Sequence, residues 1–169
     1  IDALFDVYLL LSEQGIQAKD IILSGDPCGA NLALALALRI RDEQRPQVSG
    51  LILLSPFLDL SLTSESIRYN SKLDALLSIE ALETGIDYYV PEQIDPADPL
   101  VSPLFDDLAD LPPTLVQVGS KEILLDDAQR FRDKAAKAGV DVTFKLYTGM
   151  WHTFQMFNAW FPEANMALD

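Results

Sequence analysis

The chain has 169 residues, 49% hydrophobic and 22% charged, which suits one globular domain with a sizeable core and excludes a disordered chain. Its formal net charge of −14 and pI near 4.2 argue against a nucleic-acid partner, since a phosphate backbone is repelled. One cysteine excludes an internal disulfide and a cysteine-rich zinc site, and one histidine excludes a multi-histidine cage, so no metal or cofactor is expected.

Asp2 to Gln14 carries Leu4, Val7, Tyr8 and Leu11 at helical spacing, and Gly15 stops it. Ile21 to Ser24 is a short apolar run bounded by Asp20 and Gly25, expected as a strand buried on both faces. Gly29 to Asp42 is helical and apolar nearly all round, the mark of a helix sandwiched in a core. Ser49 to Ser55 is the next buried strand, ended by Pro56. Leu58 to Leu77 is mostly irregular, and Ser78 begins a helix that runs to about Tyr89 and closes at Pro91. Ile94 to Pro113 holds five of the ten prolines and is expected as a long surface connection. Thr114 to Gly119 is a third strand, and Leu125 to Ala138 an amphipathic helix stopped by Gly139. Val142 to Tyr147 is a fourth strand, alternating as a sheet edge does, and a last helix runs from Phe154 onward. Strands alternating with helices imply parallel βαβ units in an α/β fold over a single domain, residues 1–169.

No signal peptide or bilayer-long apolar run is present, so a cytoplasmic location without a membrane span is expected. Ile1 falls inside a helical pattern, so the chain is expected to be a fragment, a truncated product or a partial gene.

Residues 21–37 are a buried strand, a very tight turn and a long Leu/Ala helix with no loop between. Gly25 and Gly29 flank the turn, where backbones approach closely and a side chain would clash. This is the layout of a nucleophile elbow, Gly-x-Ser-x-Gly, but the five residues are Gly25-Asp26-Pro27-Cys28-Gly29. Proline stands where the serine belongs. An elbow nucleophile sits at strained, positive φ, whereas proline is held near about −65° and has no oxygen or sulfur to attack an ester.

The stretch from Gly25 to Ala33 resembles the Gly-Asp-Ser-Ala-Gly-Gly-Asn-Leu-Ala elbow of the bacterial hormone-sensitive-lipase-like esterases, a branch of the α/β-hydrolases. The likeness continues through Leu54-Ser55-Pro56-Phe57-Leu58-Asp59-Leu60, through 98–104 (DPLVSPL) and 118–127 (VGSKEILLDD), and into Gly149-Met150-Trp151-His152. It covers almost the whole chain. The resemblance implies the three-layer αβα half of an α/β-hydrolase fold, with four parallel strands, the last four of eight, and helices on both faces. It implies the C-terminal portion of a catalytic domain, without the N-terminal cap and the His-Gly-Gly oxyanion segment, neither of which is found in these 169 residues. The strand at 21–24 would then present a bare edge, so pairing across it is expected, with a second copy or with the missing half.

The same resemblance places the catalytic histidine at His152 and its acid at Glu122, 30 residues earlier, with Asp126 as the runner-up acid. Asp126 has a plainer role as charge in the first turn of the following helix. The plainer readings are, for His152, a solvent-exposed loop histidine or one capping the final helix and, for Glu122, an ordinary solvated carboxylate. Cys28 is the one substitute nucleophile, at a helix N-terminus that would lower its pKa, but displaced by one residue. Its plainer reading, a small buried cysteine, is the favoured one. Pro56, Asp59 and Trp151 are expected to be structural. The function expected is thus a carboxylic-ester hydrolase by kinship, acting on small acyl esters but inactive or impaired because of Pro27. Two alternatives stand: a non-catalytic binding or assembly protein using the half-sheet edge, and a cysteine-dependent hydrolase using Cys28, His152 and Glu122.

Overall fold

The computed structural model describes residues 1–169. Four strands form one parallel sheet in the order β1 (Ile22–Gly25), β2 (Gly50–Leu54), β3 (Thr114–Gly119), β4 (Val142–Tyr147). Strand order equals chain order, so right-handed crossovers must all pass over one face. Helices α2 (Cys28–Asp42) and α5 (Leu125–Lys137) lie there, and with Leu51, Leu53, Val116 and Val118 they enclose the largest core cluster, centred on Leu34 and Phe131. Helix α1 (Asp2–Glu13) packs beside α2 through Phe5 and Tyr8, while Leu4 and Val7 of its predicted apolar face stay exposed. The opposite face is reached from the chain's end. There the expected last helix is two pieces, a 3₁₀ turn at Phe154–Phe157 and α6 (Pro162–Leu168), with Pro162 opening the second. Gln117 of β3 donates to the Ala167 carbonyl at 2.7 Å, tying α6 to that face.

The α/β fold with four parallel strands and helices on both faces is as expected. Strand β1, however, is not buried on both faces. It pairs only with β2, Ile22 is 58% exposed, and only Leu23 turns toward the α2 side. The connection from β2 to β3 holds a one-turn helix α3 (Ser66–Tyr69) and α4 (Ile79–Tyr89), whose first turn is capped by Ser78 accepting from the Ala81 N–H at 3.2 Å. The proline-rich connection before β3 is not a surface strap throughout. Val101, Leu104, Leu108 and Leu111 are buried and three of them, Leu104, Leu108 and Leu111, pack into the main core. Apolar side chains between the prolines account for this, each one removing its area from water.

Candidate functional site

All four strands point the same way, so the turns after β1, β2, β3 and β4 gather along one edge of the sheet, where parallel α/β sheets hold their ligands. The turn after β3 places Glu122, fully buried, and the turn after β4 places His152, 5% exposed. Their side chains meet: His152 Nδ1 lies 3.2 Å from Glu122 Oε2. A carboxylate there fixes Nδ1–H as donor and leaves Nε2 free to take a proton. The other Glu122 oxygen accepts from Ser55 Oγ at 2.8 Å and from the Gly119 N–H at 2.5 Å. Burial pushes the Glu122 carboxyl up, opposed by the hydrogen bonds from His152, Gly119 and Ser55. Burial excludes a solvated carboxylate and an exposed loop histidine, and neither helical piece at the chain's end receives a side-chain cap bond from His152.

The two turns are locked to each other. A Cβ on Gly119 would fall 2.3 Å from the Met150 carbonyl oxygen, so only glycine allows the β3 and β4 ends this approach. Lys121 N–H donates to the Met150 carbonyl at 2.9 Å, and Gly149 N–H to Ser120 Oγ at 2.8 Å. Two non-glycine residues with left-handed backbone, Ser55 at φ 47 and Thr153 at φ 49, adjoin the pair, and Thr153 N–H donates to Ser55 Oγ at 3.2 Å. Strain of this sort, roughly 1–3 kcal/mol a residue, persists only where the surroundings dictate it. Sequence reading did not find Ser55, nor Asp74, whose carboxylate accepts from Ile123 N–H at 3.0 Å and His152 N–H at 3.4 Å. Ser55 lies inside a motif read as a whole, and Asp74 lies in a stretch without periodicity.

Asp126 is not the partner of His152. Its carboxylate accepts from Ser66 N–H at 2.8 Å and from Tyr69 OH at 2.9 Å, in the first turn of α5. Burial, with the Asp126 bond second, pushes the Tyr69 phenol up to about 12.

The turn after β1 keeps a close backbone approach, with Pro27 at its centre. A Cβ on Gly25 would lie 2.1 Å from the Gly29 carbonyl carbon, so glycine is required there. Gly29 is different from expectation: a Cβ on it would meet nothing within 4 Å, because it contributes only its backbone to the contact. Pro27 has φ −65 and ψ −38 and serves as the N-cap residue of α2, so the positive-φ apex of an elbow is absent. Its carbonyl accepts from the Phe57 N–H at 3.2 Å, fastening the turn to the loop after β2.

Cys28 is exposed, which overturns the buried reading. It heads α2, whose entrance faces solvent, so nothing encloses the side chain fully. Its thiol is pushed up, not down, by partial burial and by the Asp26 carboxylate, which outweigh the helix N-terminus. It makes no hydrogen bond to His152, whose Nδ1 is engaged with Glu122. Beside the turn lies an apolar cavity of about 260 Å³, walled by Pro27, Cys28 and Asn31, by Phe57 and Leu60, and by α4.

A buried polar cluster braces this edge from below. Asp127 accepts from the N–H groups of Leu58 and Asp59 at 2.8 and 2.9 Å and from the Ser64 hydroxyl. Asp59 accepts from Ser61, Thr63 and Arg130, the last at 2.6 Å. Burial pushes Asp127 up to about 6, whereas Asp59, also raised by burial, is held below the ordinary range by those three partners. No helix is long and apolar enough to cross a membrane, and no group of three or more potential metal ligands is present.

The model of the α/β-hydrolase fold family matches residues 1–156. The chain is 70% identical over 168 residues to an esterase of Acinetobacter venetianus, covering 99% of this chain and 55% of that protein. It is 36% identical over 162 residues to an acetyl-hydrolase of Streptomyces hygroscopicus, covering 96% and 54%. Among solved structures, the hormone-sensitive-lipase homologue EstE7 from a metagenome library superposes with a TM-score of 0.93 at 35% identity, over 99% of this chain and 57% of that one. An esterase from the bacterial hormone-sensitive lipase family gives 0.91 at 35%, over 95% and 54%. The chain thus spans about half the length of the relatives it matches.

Proposed function

The chain belongs to the α/β-hydrolase fold family, in its bacterial hormone-sensitive-lipase branch, and we propose that it is an ester hydrolase by descent that no longer turns esters over. One observation carries this reading: Pro27, at φ −65, occupies the nucleophile position. A pyrrolidine ring offers no attacking atom and no N–H.

Glu122 and His152 are assigned the inherited roles of acid and base. The carboxylate orients the imidazole and would stabilise its protonated form, and Nε2 would take the proton of an attacking hydroxyl. With no hydroxyl at position 27 the base has no substrate-directed partner. Loss of a triad nucleophile lowers kcat by about 10⁶-fold where it has been measured in a serine hydrolase. Cys28 does not replace it, because its thiol is raised and it makes no hydrogen bond to His152. A small acyl ester remains the ligand class that the cavity beside the turn supports, through its apolar walls.

The test is hydrolysis of p-nitrophenyl acetate and butyrate by the purified chain, beside His152→Ala. Equal rates in the two, at the level of the protein-free control, are expected. Turnover that His152→Ala abolishes would overturn the reading. Pro27→Ser alone is expected to stay below the rates of an intact esterase, since these 169 residues contain no His-Gly-Gly oxyanion segment and one lost donor costs about 10²- to 10³-fold.

The exposed β1 edge favours a second reading, a binding or assembly role. Its measurable consequence is self-association.

A further inference from the structure

We propose that Ser55 is the positioning residue of the Glu122–His152 pair: its hydroxyl keeps the carboxyl of Glu122 an acceptor and leaves Oε2 to His152. Ser55 follows β2 directly and is fully buried. Its N–H still belongs to the sheet, donating to the Gln117 carbonyl at 2.8 Å, so the side chain stands on a fixed post. Its φ is 47, a region that glycine enters freely and serine enters at a cost. A glycine would meet the backbone requirement without strain, so what the serine adds is its hydroxyl.

Both capacities of that hydroxyl are used. Thr153 N–H donates to Oγ at 3.2 Å. An N–H only donates, so Oγ accepts there, and its own proton is left for Glu122 Oε1, 2.8 Å away. One oxygen thus ties the carboxylate to the residue that follows His152. Gly119 N–H donates to the same Oε1 at 2.5 Å, so the oxygen left to face His152 Nδ1, at 3.2 Å, is Oε2. Burial pushes the Glu122 carboxyl up, and the bonds from His152, Gly119 and Ser55 oppose it. A protonated Glu122 would donate to Nδ1 and leave the imidazole hydrogen on Nε2, where no proton can then be taken up. The other titratable groups nearby are engaged elsewhere: Asp74 with Ile123 N–H and His152 N–H, Asp126 with Ser66 and Tyr69, and Asp127 with Leu58, Asp59 and Ser64, while Lys121 is exposed. Ser55 has this role only on the acid–base assignment of Glu122 and His152, and has it whether or not esters turn over.

The experiment titrates the 169-residue chain by NMR, following the Glu122 carboxyl carbon and the two ring nitrogens of His152, the only histidine. Ser55→Ala removes the hydroxyl and keeps the strain, whereas Ser55→Gly removes both. In each the Glu122 midpoint is expected to rise by about one pH unit or more, the worth of a hydrogen bond to a charged group. Ser55→Gly is expected to melt above Ser55→Ala, and it carries the test alone if Ser55→Ala does not fold. A role in stability alone would therefore separate the two variants, whereas positioning gives them the same midpoint. A midpoint that stays put in either folded variant, or one raised in Ser55→Ala and restored in Ser55→Gly, would overturn the proposal. In the unchanged chain the neutral ring should carry its hydrogen on Nδ1 once Glu122 is ionised. A hydrogen on Nε2 there would overturn the acid–base pair itself, and this role of Ser55 with it.

Discussion

Glu122 and Pro27 follow strands of one sheet and both belong to the proposed site, but they are held in different ways. Around Glu122, both carboxylate oxygens are engaged by Ser55, Gly119 and His152, and the flanking turns are bonded to each other. Around Pro27, the constraints are the Gly25 approach, the local turn and helix bonds from Gly29 N–H to Asp26 and Asn31 N–H to Pro27, and one long-range bond from Phe57. The first end is part of the core, and the second caps a helix. A substitution at position 27 should therefore cost the fold little, whereas Glu122 and His152 are tied into the core by burial and hydrogen bonds that do not depend on turnover. Retention of Glu122 and His152 is then no evidence of turnover.

The sharpest way to break this contrast is to delete each end in turn. Glu122→Ala strands Ser55 Oγ, Gly119 N–H and His152 Nδ1 in a dry interior, and a buried polar group left without its partner costs about 1–3 kcal/mol. A loss of about 3 kcal/mol or more is expected by urea denaturation. Pro27→Ala is expected to change stability by about 1 kcal/mol or less, through unfolded-chain freedom, since Pro27 makes no side-chain capping bond to lose. Equal effects would mean that the elbow, too, is built into the core.

A smaller effect separates the brace under the site from the site itself. Asp127 binds its proton more tightly folded than unfolded, with its pKa pushed up from 3.8 to about 6. Stability should be fullest below about pH 4 and fall as pH rises to about 6, by about 3 kcal/mol at most. Glu122, also raised by burial, contributes in the same direction. Asp59, held low, contributes oppositely, with stability lost as pH falls through its folded pKa. Asp127→Asn keeps an acceptor for Leu58 and Asp59 N–H, and its amide can donate to the Ser64 hydroxyl. The variant should flatten the slope between pH 4 and 6 in denaturant titrations. An unchanged slope would place the pH dependence on Glu122.

The sequence was most legible where periodicity and motif coincide. The four strands and helices α2, α4 and α5 lie within a residue or two of their expected bounds. The Glu122–His152 contact was legible only through family resemblance, since 30 residues of separation carry no geometric signal. What was misread has physical causes. Ile21 to Ser24 has the composition of an inner strand, but a strand is buried by neighbours, and β1 has one. Cysteine composition favours burial, but Cys28 sits at a helix entrance. The proline-rich segment looked like surface because prolines mark turns, while the leucines between them decide burial. Ser55, Asp74 and Asp127 bind backbone groups far off in sequence, a relation that no local pattern encodes.

The smallest expected effect concerns the contrast between the sheet's two edges. Strand β4 alternates Val142 and Phe144, which pack inward, with Thr143 and Lys145, and charge of this kind blunts an edge. Strand β1 reads Ile22-Leu23-Ser24-Gly25, with no charge and with Ile22 58% exposed. Its outward N–H and C=O groups offer a ladder that a second copy can extend, so the chain should self-associate at raised concentration, through β1 and not β4. Ile22→Lys adds the charge that β4 already carries, at a position where little buried area is lost. Light scattering after size exclusion should then show the mass of a single chain, with an unchanged melting temperature. Association that persists in Ile22→Lys but disappears when Leu146, 46% exposed on β4, is made lysine would assign the contact to the other edge and end the β1 reading.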